Sequence, residues 1–154
     1  MKRDSALQPL SHQHHNALTG CLLIKKGVQK KADKKILKDF VQRLYKDDLL
    51  QHLDAEEKFV FPMLDRIDAH YRSIAQADHE RIRVLGERVN VHEDGYALYS
   101  AIANLVEQHI RFEERVIFNK MQENLSDAEL QQLSGSLQGL QVRKCSDYPV
   151  KFWE

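Results

Sequence analysis

The chain has 154 residues, enough for one domain with a buried core. Its 23 basic and 23 acidic residues cancel, so its charge gives no reason to expect binding to nucleic acid or to an anionic membrane. A hydrophobic fraction of 42%, with 6 glycines and 3 prolines, favours a helical protein over a turn-rich β protein.

The chain carries no visible signal for export or for insertion into a membrane. Its start, Met1-Lys2-Arg3-Asp4-Ser5, continues into polar sequence, and no run approaches the roughly 18 apolar residues that a membrane span needs. Cys21 falls in a predicted helix and Cys145 in a C-terminal tail, which does not suggest a disulfide framework. We therefore expect a cytoplasmic protein without a membrane partner.

Apolar residues recur at helical spacing along most of the chain and predict four long helices. Their predicted bounds are about 7–27, 33–64, 68–89 and 96–124. Gly27 is a plausible C-terminal cap of the first helix, and Pro62 should kink or end the second helix soon after its position. The stretch 90–95 is turn-like. Short connections between amphipathic helices predict an all-α, antiparallel up-down four-helix bundle.

The bundle should occupy residues 1–124 and leave a C-terminal segment of residues 125–154. Ser126-Asp127-Ala128-Glu129 matches a capping box, so a short fifth helix should begin there. The last fifteen residues look irregular but are too apolar to float free. We expect the segment to pack on the bundle rather than to have a separate function, and its aromatic residues could help to form a homodimer.

A pattern of His, aliphatic, two variable residues, two Glu, basic, variable, β-branched and Phe occurs twice. One copy begins at His52 and the other at His109. In each copy the histidine and the first glutamate, Glu56 or Glu113, are four residues apart and share one helix face. Each helix therefore presents an imidazole beside a carboxylate.

These pairs lie in apolar seams of their helices, so we expect them to be buried. A buried carboxylate is costly unless it is paired or coordinates a metal, and the repeated pattern favours a metal site over an ordinary exposed pair. The second glutamates, Glu57 and Glu114, turn about 100° away. They are followed by basic residues, and we interpret them as a solvated rim.

Each of the other two long helices adds one histidine to the inner face. His79 shares the seam of the third helix with Ile82, and His14 is favoured over His15 because Leu10 and Ala17 share its face. The remaining histidines, His12, His70 and His92, are interpreted as surface residues. The predicted metal ligands are His14, His52, Glu56, His79, His109 and Glu113.

Four nitrogen and two oxygen ligands divide into two sets of two histidines and one carboxylate. That set, with open coordination positions, is typical of non-haem Fe(II), and the absence of inner cysteines argues against a structural zinc site. Glu56 and Glu113 could each bridge two ions. Two dications would offset both buried negative charges and leave positive charge for an oxo, hydroxo or exogenous ligand.

The chain resembles the hemerythrin-like, or HHE cation-binding, domain over about residues 7–124. The stretches that carry the resemblance are Leu10-Ser11-His12-Gln13-His14-His15, His52-x-x-x-Glu56-Glu57-x-x-Val60-Phe61-Pro62, Asp78-His79-Glu80-Arg81-Ile82 and His109-Ile110-x-x-Glu113-Glu114-Arg115. The resemblance implies an up-down bundle that holds two Fe ions in a non-haem di-iron centre, although another divalent metal could occupy it in a crystal. Family functions include reversible O2 binding, O2 or redox sensing, nitric oxide handling, and repair or supply of iron for iron–sulfur clusters.

One position departs from the oxygen-carrying members of this family. They have a His-x-x-x-His pair on the third helix, whereas the residue four before His79 is Ala75. One iron would therefore have fewer nitrogen ligands than in the carriers. This argues against stable O2 storage and leaves room for an oxygen ligand, a water molecule or a partly occupied site.

Several functions fit the predicted site. The first is binding or sensing of O2, nitric oxide or a related small ligand, and the second is iron storage, delivery or cluster repair. A catalytic role as an oxidase or peroxidase ranks below them, because no substrate pocket can be read from the sequence. A purely structural bundle without metal is the remaining alternative.

Overall fold

The computed structural model describes residues 1–91 and 95–154. These residues form five helices and contain no β-strand, which confirms the predicted all-α bundle. The helices are α1 (Gln8–Gln29), α2 (34–67), α3 (Ala69–Val91), α4 (96–124) and α5 (Asp127–Leu137). None of the helices in this part of the chain is both long enough and apolar enough to cross a bilayer.

Helices α2 and α4 are continuous but contain wider, π-helical turns. The segments of α2 are Lys34–Arg43, Leu44–Leu49 (π), Leu50–Ala55, Glu56–Val60 (π) and Phe61–Ile67, and those of α4 are Tyr96–Phe112, Glu113–Ile117 (π) and Phe118–Asn124. One π turn in each helix therefore begins at the first glutamate of the repeated pattern. Such turns are rare and are often found at functional sites. Pro62 lies just after the second π turn of α2, at the start of an α-helical segment where its missing N–H is tolerated.

The structure confirms the predicted start of α5 but not the predicted end of α1. Both hydrogen bonds of the predicted capping box between Ser126 and Glu129 are present. The predicted cap at Gly27 is wrong, because α1 continues to Gln29 and Lys31 has the positive φ of 53°. Gly27 is instead a site of close packing, since a Cβ atom there would lie 2.8 Å from the ring of Phe152.

The four long helices enclose a core with a polar layer between two apolar clusters. Helix α1 packs against α4 and α2, and α3 packs against the same two helices. One cluster contains Tyr45 and Ile102, and the other contains Phe61 and Phe118. Burying each such large side chain contributes about 1.5–3 kcal/mol, so both ends of the polar layer are closed by dry and stable packing.

The residues after α5 pack on the same chain. Around the ring of Phe40 lie those of Tyr148, Phe152 and Trp153, with centroid distances of 5.2, 5.0 and 6.3 Å. The backbone N–H of the buried Cys145 donates to the side-chain oxygen of Asn16 on α1, at 2.8 Å. This contact places the C-terminal segment across α1 and α2.

The burial of Cys21 predicts a loss of stability at alkaline pH. Burial raises the pKa of this thiol from 9.0 to about 12, so the unfolded chain releases the proton first as the pH rises. The free energy of unfolding should fall between about pH 9 and pH 12. In urea denaturation, Cys21→Ala should lose roughly 3 kcal/mol less than the wild type between about pH 8 and pH 11.

The matched variant for this measurement is Cys145→Ala. Burial raises the pKa of Cys145 only to about 11, so its removal should reduce the alkaline loss by a smaller amount. Equal losses in the wild type and in Cys21→Ala would contradict the prediction.

Candidate metal centre

The polar layer consists of the six residues that the sequence predicts as ligands. All six are buried, and Glu56, His79 and Glu113 are 0% exposed. Their ligand atoms form two groups, in each of which the atoms lie within 4.8 Å of one another. The groups are His14, His52, Glu56 and Glu113, and Glu56, His79, His109 and Glu113. The two glutamates belong to both groups.

Each glutamate lies between a histidine of its own helix and a histidine of another helix. Glu56 Oε1 is 3.0 Å from His52 Nε2 on α2 and 3.3 Å from His79 Nε2 on α3. Glu113 Oε1 is 2.8 Å from His109 Nε2 on α4, and it is 3.3 Å from His14 Nε2 on α1. The spacing of four residues thus places each glutamate beside the histidine of its own pattern, as predicted. The packing of the helices adds a histidine from a second helix.

The outer nitrogen of every histidine in the layer is hydrogen bonded. The Nδ1 atoms of His14, His52, His79 and His109 lie 2.8, 2.7, 2.9 and 3.0 Å from oxygens of Glu114, Gln13, Glu57 and Asp78, respectively. Ionised carboxylates and amide oxygens only accept hydrogen bonds, so Nδ1 carries the proton in each ring. The lone pair of a neutral imidazole is then on Nε2 and points into the layer, which is the arrangement of a metal ligand.

The interpretation of Glu57 and Glu114 as a solvated rim is wrong. Their side chains are only 27% and 28% exposed, and they accept hydrogen bonds from His79 and His14. Glu57 also pairs with Arg83 at 2.6 Å, so its charge is held in place. The 100° rotation per residue correctly predicted that these carboxylates point away from the centre. It could not predict that histidines of neighbouring helices would hydrogen bond to them.

Gln13 and Asp78 contact the polar layer but were not among the predicted site residues. Each directly precedes the single inner histidine of its helix, and each accepts a hydrogen bond from a histidine of the following helix. The shared position before His14 and His79 was the available signal. It could not be used without knowing which helices are adjacent.

The other histidines that the structure describes lie outside the layer. His12, His15 and His70 are exposed, in agreement with the sequence analysis, and His92 falls outside the described residues. Ala75 is fully buried in the apolar cluster that contains Phe61. No side chain of α3 therefore offers a second nitrogen at that place.

Without a cation, the geometry of the layer is electrostatically unfavourable. The Nε2 atoms of His14 and His52 are 2.9 Å apart, and those of His79 and His109 are 3.1 Å apart. Both carboxylate oxygens of Glu56 and of Glu113 lack a hydrogen-bond donor. Buried polar atoms are normally satisfied, so four imidazole nitrogens and four carboxyl oxygens that face one another indicate a place for positive charge.

The pKa values of the residues in the layer also indicate a place for positive charge. Burial and the adjacent carboxylate of Glu113 raise the pKa of Glu56 well above its usual value. Burial, together with the positive charge of His14, lowers the pKa of His52 well below 6.5. The His109 pKa rises to about 9, since the charges of Glu113 and Asp78 outweigh burial. Protons are thus distributed unevenly over groups that bound cations would neutralise more evenly.

A cavity of about 270 Å³ lies beside the layer and is lined by residues of α1, α2 and α4 and by Ile82 of α3. Three of the four inner histidines line it: His14, His52 and His109. Its wall includes Ala17 and Val106, and its outer edge includes Arg143 of the C-terminal segment. The sequence did not predict this cavity.

Comparison with known proteins gives one match. A family model described as the hemerythrin HHE cation binding domain matches residues 5–121, about three quarters of the chain. No curated protein and no solved structure matches the chain. The family match and the two buried His/Glu groups together indicate a metal-binding protein.

Proposed function

Because the chain belongs to the hemerythrin HHE cation-binding family, we propose that it is a non-haem di-iron protein that binds or senses O2, nitric oxide or a related small ligand. The single observation that carries this proposal is the pair of four-residue ligand groups that share Glu56 and Glu113. Shared carboxylates are the expected means of holding two dications close together in a bundle core.

The donor set favours iron. Imidazole nitrogen and carboxylate oxygen suit Fe(II), and the thiolates typical of structural zinc sites are missing from both groups. Each position would receive two histidines and the shared carboxylates. Two ferrous ions would supply electrons and open coordination positions for a small ligand.

The protein's own residues would orient the ligands and restrict water. Glu114, Glu57, Gln13 and Asp78 fix the protonated Nδ1 of the four histidines, so each Nε2 points inward. The two apolar clusters close the layer at both ends, which strengthens its electrostatic interactions. The cavity then provides lateral access for a molecule of a few atoms.

Iron storage, delivery or cluster repair is the second candidate. It is favoured by Ala75, because the ions would share only four imidazoles and would be held less firmly than with an additional nitrogen ligand. The cytoplasm is the compartment we propose for either role, since the two free cysteines fit a reducing environment.

Metal analysis of protein expressed with added iron tests the proposal. The wild type should contain two iron ions per chain, and His52→Ala and His109→Ala should each contain fewer. His15→Ala is the matched control, because His15 is an exposed histidine on α1. Iron-free wild-type protein, or equal iron in all four proteins, would overturn the proposal.

An optical spectrum distinguishes the two candidate functions. Reduced iron-loaded protein is exposed to air and then made anaerobic again, with a chelator present in a parallel sample. A charge-transfer band that appears and disappears reversibly supports ligand binding. Progressive iron transfer to the chelator, without a reversible band, supports storage or delivery and contradicts the ligand-binding role.

Filling the cavity should slow ligand access without removing the metal. Ala17 lines the cavity on α1, and Ala17→Ile would occupy part of its volume. We expect azide to associate with the iron-loaded variant several-fold more slowly, in stopped-flow absorbance measurements, at unchanged iron content. Ala101→Ile is the control because Ala101 is an exposed alanine on α4. Equal rates in all three proteins would show that ligands enter elsewhere.

A further inference from the structure

The hydrogen bonds around the polar layer repeat between two helical hairpins, of which the first is α1 with α2 and the second is α3 with α4. In the first hairpin, the residue before His14 accepts a hydrogen bond from His52. In the second hairpin, the residue before His79 accepts one from His109. The remaining two histidines also match, because His14 and His79 both donate to a carboxylate on the neighbouring helix, Glu114 and Glu57.

The two hairpins differ in one of these hydrogen-bond acceptors. Asp78 offers a carboxylate to His109, whereas Gln13 offers a neutral amide oxygen to His52. A carboxylate at Nδ1 makes the imidazole a stronger donor to a metal, and such outer partners are typically worth about 10- to 100-fold in metal affinity. The amide carries no net charge and cannot supply the same electrostatic stabilisation to a bound cation.

The structure also explains why a glutamine fits at position 13. Its amide nitrogen donates to the backbone oxygen of Gln141 at 2.9 Å, while its amide oxygen accepts from His52 at 2.7 Å. A glutamate could make only the second of these contacts. Gln141 lies after the residues that match the family, so the C-terminal segment of this chain takes part in the difference.

We propose that Gln13 is a positioning residue that makes the two metal positions unequal, with the ion at His14 and His52 bound more weakly than the ion at His79 and His109. This inference rests on the proposed function. In a ligand-binding or sensing role, the weaker position is the one that can most readily change its ligands. In iron delivery, it is the position that releases its ion first.

Anaerobic titration of metal-free protein with Fe(II), in competition with a chromophoric chelator, tests the inference. The wild type should show two binding steps that differ by about 10-fold or more in dissociation constant. Gln13→Glu should tighten the weaker step by roughly 10-fold and leave the tighter step unchanged. Asp78→Asn should weaken the tighter step by about 10- to 100-fold. His52→Ala and His109→Ala assign the steps to the two positions.

The direction of the change at position 13 separates this role from a structural one. Gln13→Glu loses the hydrogen bond to Gln141. If Gln13 only held the C-terminal segment in place, the protein would therefore bind Fe(II) less tightly after the substitution. Asp78→Asn is an independent measurement, because Asp78 has no contact with that segment among its described hydrogen bonds. Two equal steps in the wild type, or weaker binding by Gln13→Glu, would overturn the inference. A chain that binds no Fe(II) would instead contradict the proposed function.

Discussion

Glu56→Gln is expected to remove both metal ions, whereas His52→Ala should mainly remove one. Glu56 belongs to both ligand groups, so its carboxylate would contact both ions, while His52 belongs to one group only. A neutral amide in its place loses the charge that offsets two buried dications. The loss of affinity should exceed the roughly 10- to 100-fold that removal of an outer hydrogen-bond partner costs. Metal analysis after reconstitution with a small excess of Fe(II) measures the effect.

Two further variants make this comparison specific. Glu113→Gln should resemble Glu56→Gln, since Glu113 is the other shared carboxylate. Glu80→Gln removes an exposed carboxylate on α3 and should keep the metal content of the wild type. If Glu56→Gln retains as much iron as His52→Ala, the glutamate does not join the two positions.

Removal of the metal is expected to lower the thermal stability of the protein substantially. A metal present at 100 times its dissociation constant contributes about 2.7 kcal/mol per site to the free energy of unfolding. For a domain of this size, that is roughly 5–10 °C in the unfolding temperature for each site. Differential scanning calorimetry of the iron-loaded protein, with and without a strong chelator, measures the change.

Substitution of both shared carboxylates should uncouple stability from metal. In metal-free protein, the buried carboxyl oxygens of Glu56 and Glu113 have no hydrogen-bond donor. The double variant Glu56→Gln with Glu113→Gln removes both carboxyl groups and provides amide N–H groups that can donate to the inward Nε2 atoms. We expect its metal-free form to be about 1–4 kcal/mol more stable than the metal-free wild type. The variant should gain no stability when Fe(II) is added.

The reverse ranking would contradict this account. A double variant less stable than the metal-free wild type would mean that the glutamates stabilise the fold without a cation. The variant pair Glu80→Gln and Glu123→Gln controls for the loss of two carboxylates, because both residues are exposed. It should be stabilised by Fe(II) as much as the wild type.

Local patterns in the sequence predicted the fold and the composition of the polar layer. Apolar spacing placed the four long helices to within a few residues, and the repeated motif selected His52 with Glu56 and His109 with Glu113. These features depend on residues close together in the chain. The structure brings the six predicted ligands together.

Features that depend on contacts between helices were not predictable in this way. The partner of His52 is 39 residues away at Gln13, and the partner of His109 is 31 residues away at Asp78. Gly27 looked like a helix cap because the sequence does not show that Phe152 packs against it. The cavity likewise arises from four helices and the C-terminal segment. Spacing along one helix cannot specify such neighbours.

The π turns at Glu56 and Glu113 constrain how the length of this chain can change during evolution. After each turn, a phenyl ring packs against the single inner histidine of another helix. The ring centroids of Phe61 and His79 are 4.7 Å apart, and those of Phe118 and His14 are 5.4 Å apart. Deleting one residue from either turn would rotate the following ring by about 100°. Insertions and deletions should therefore be confined to the connections between helices, while the two glutamate turns keep their length.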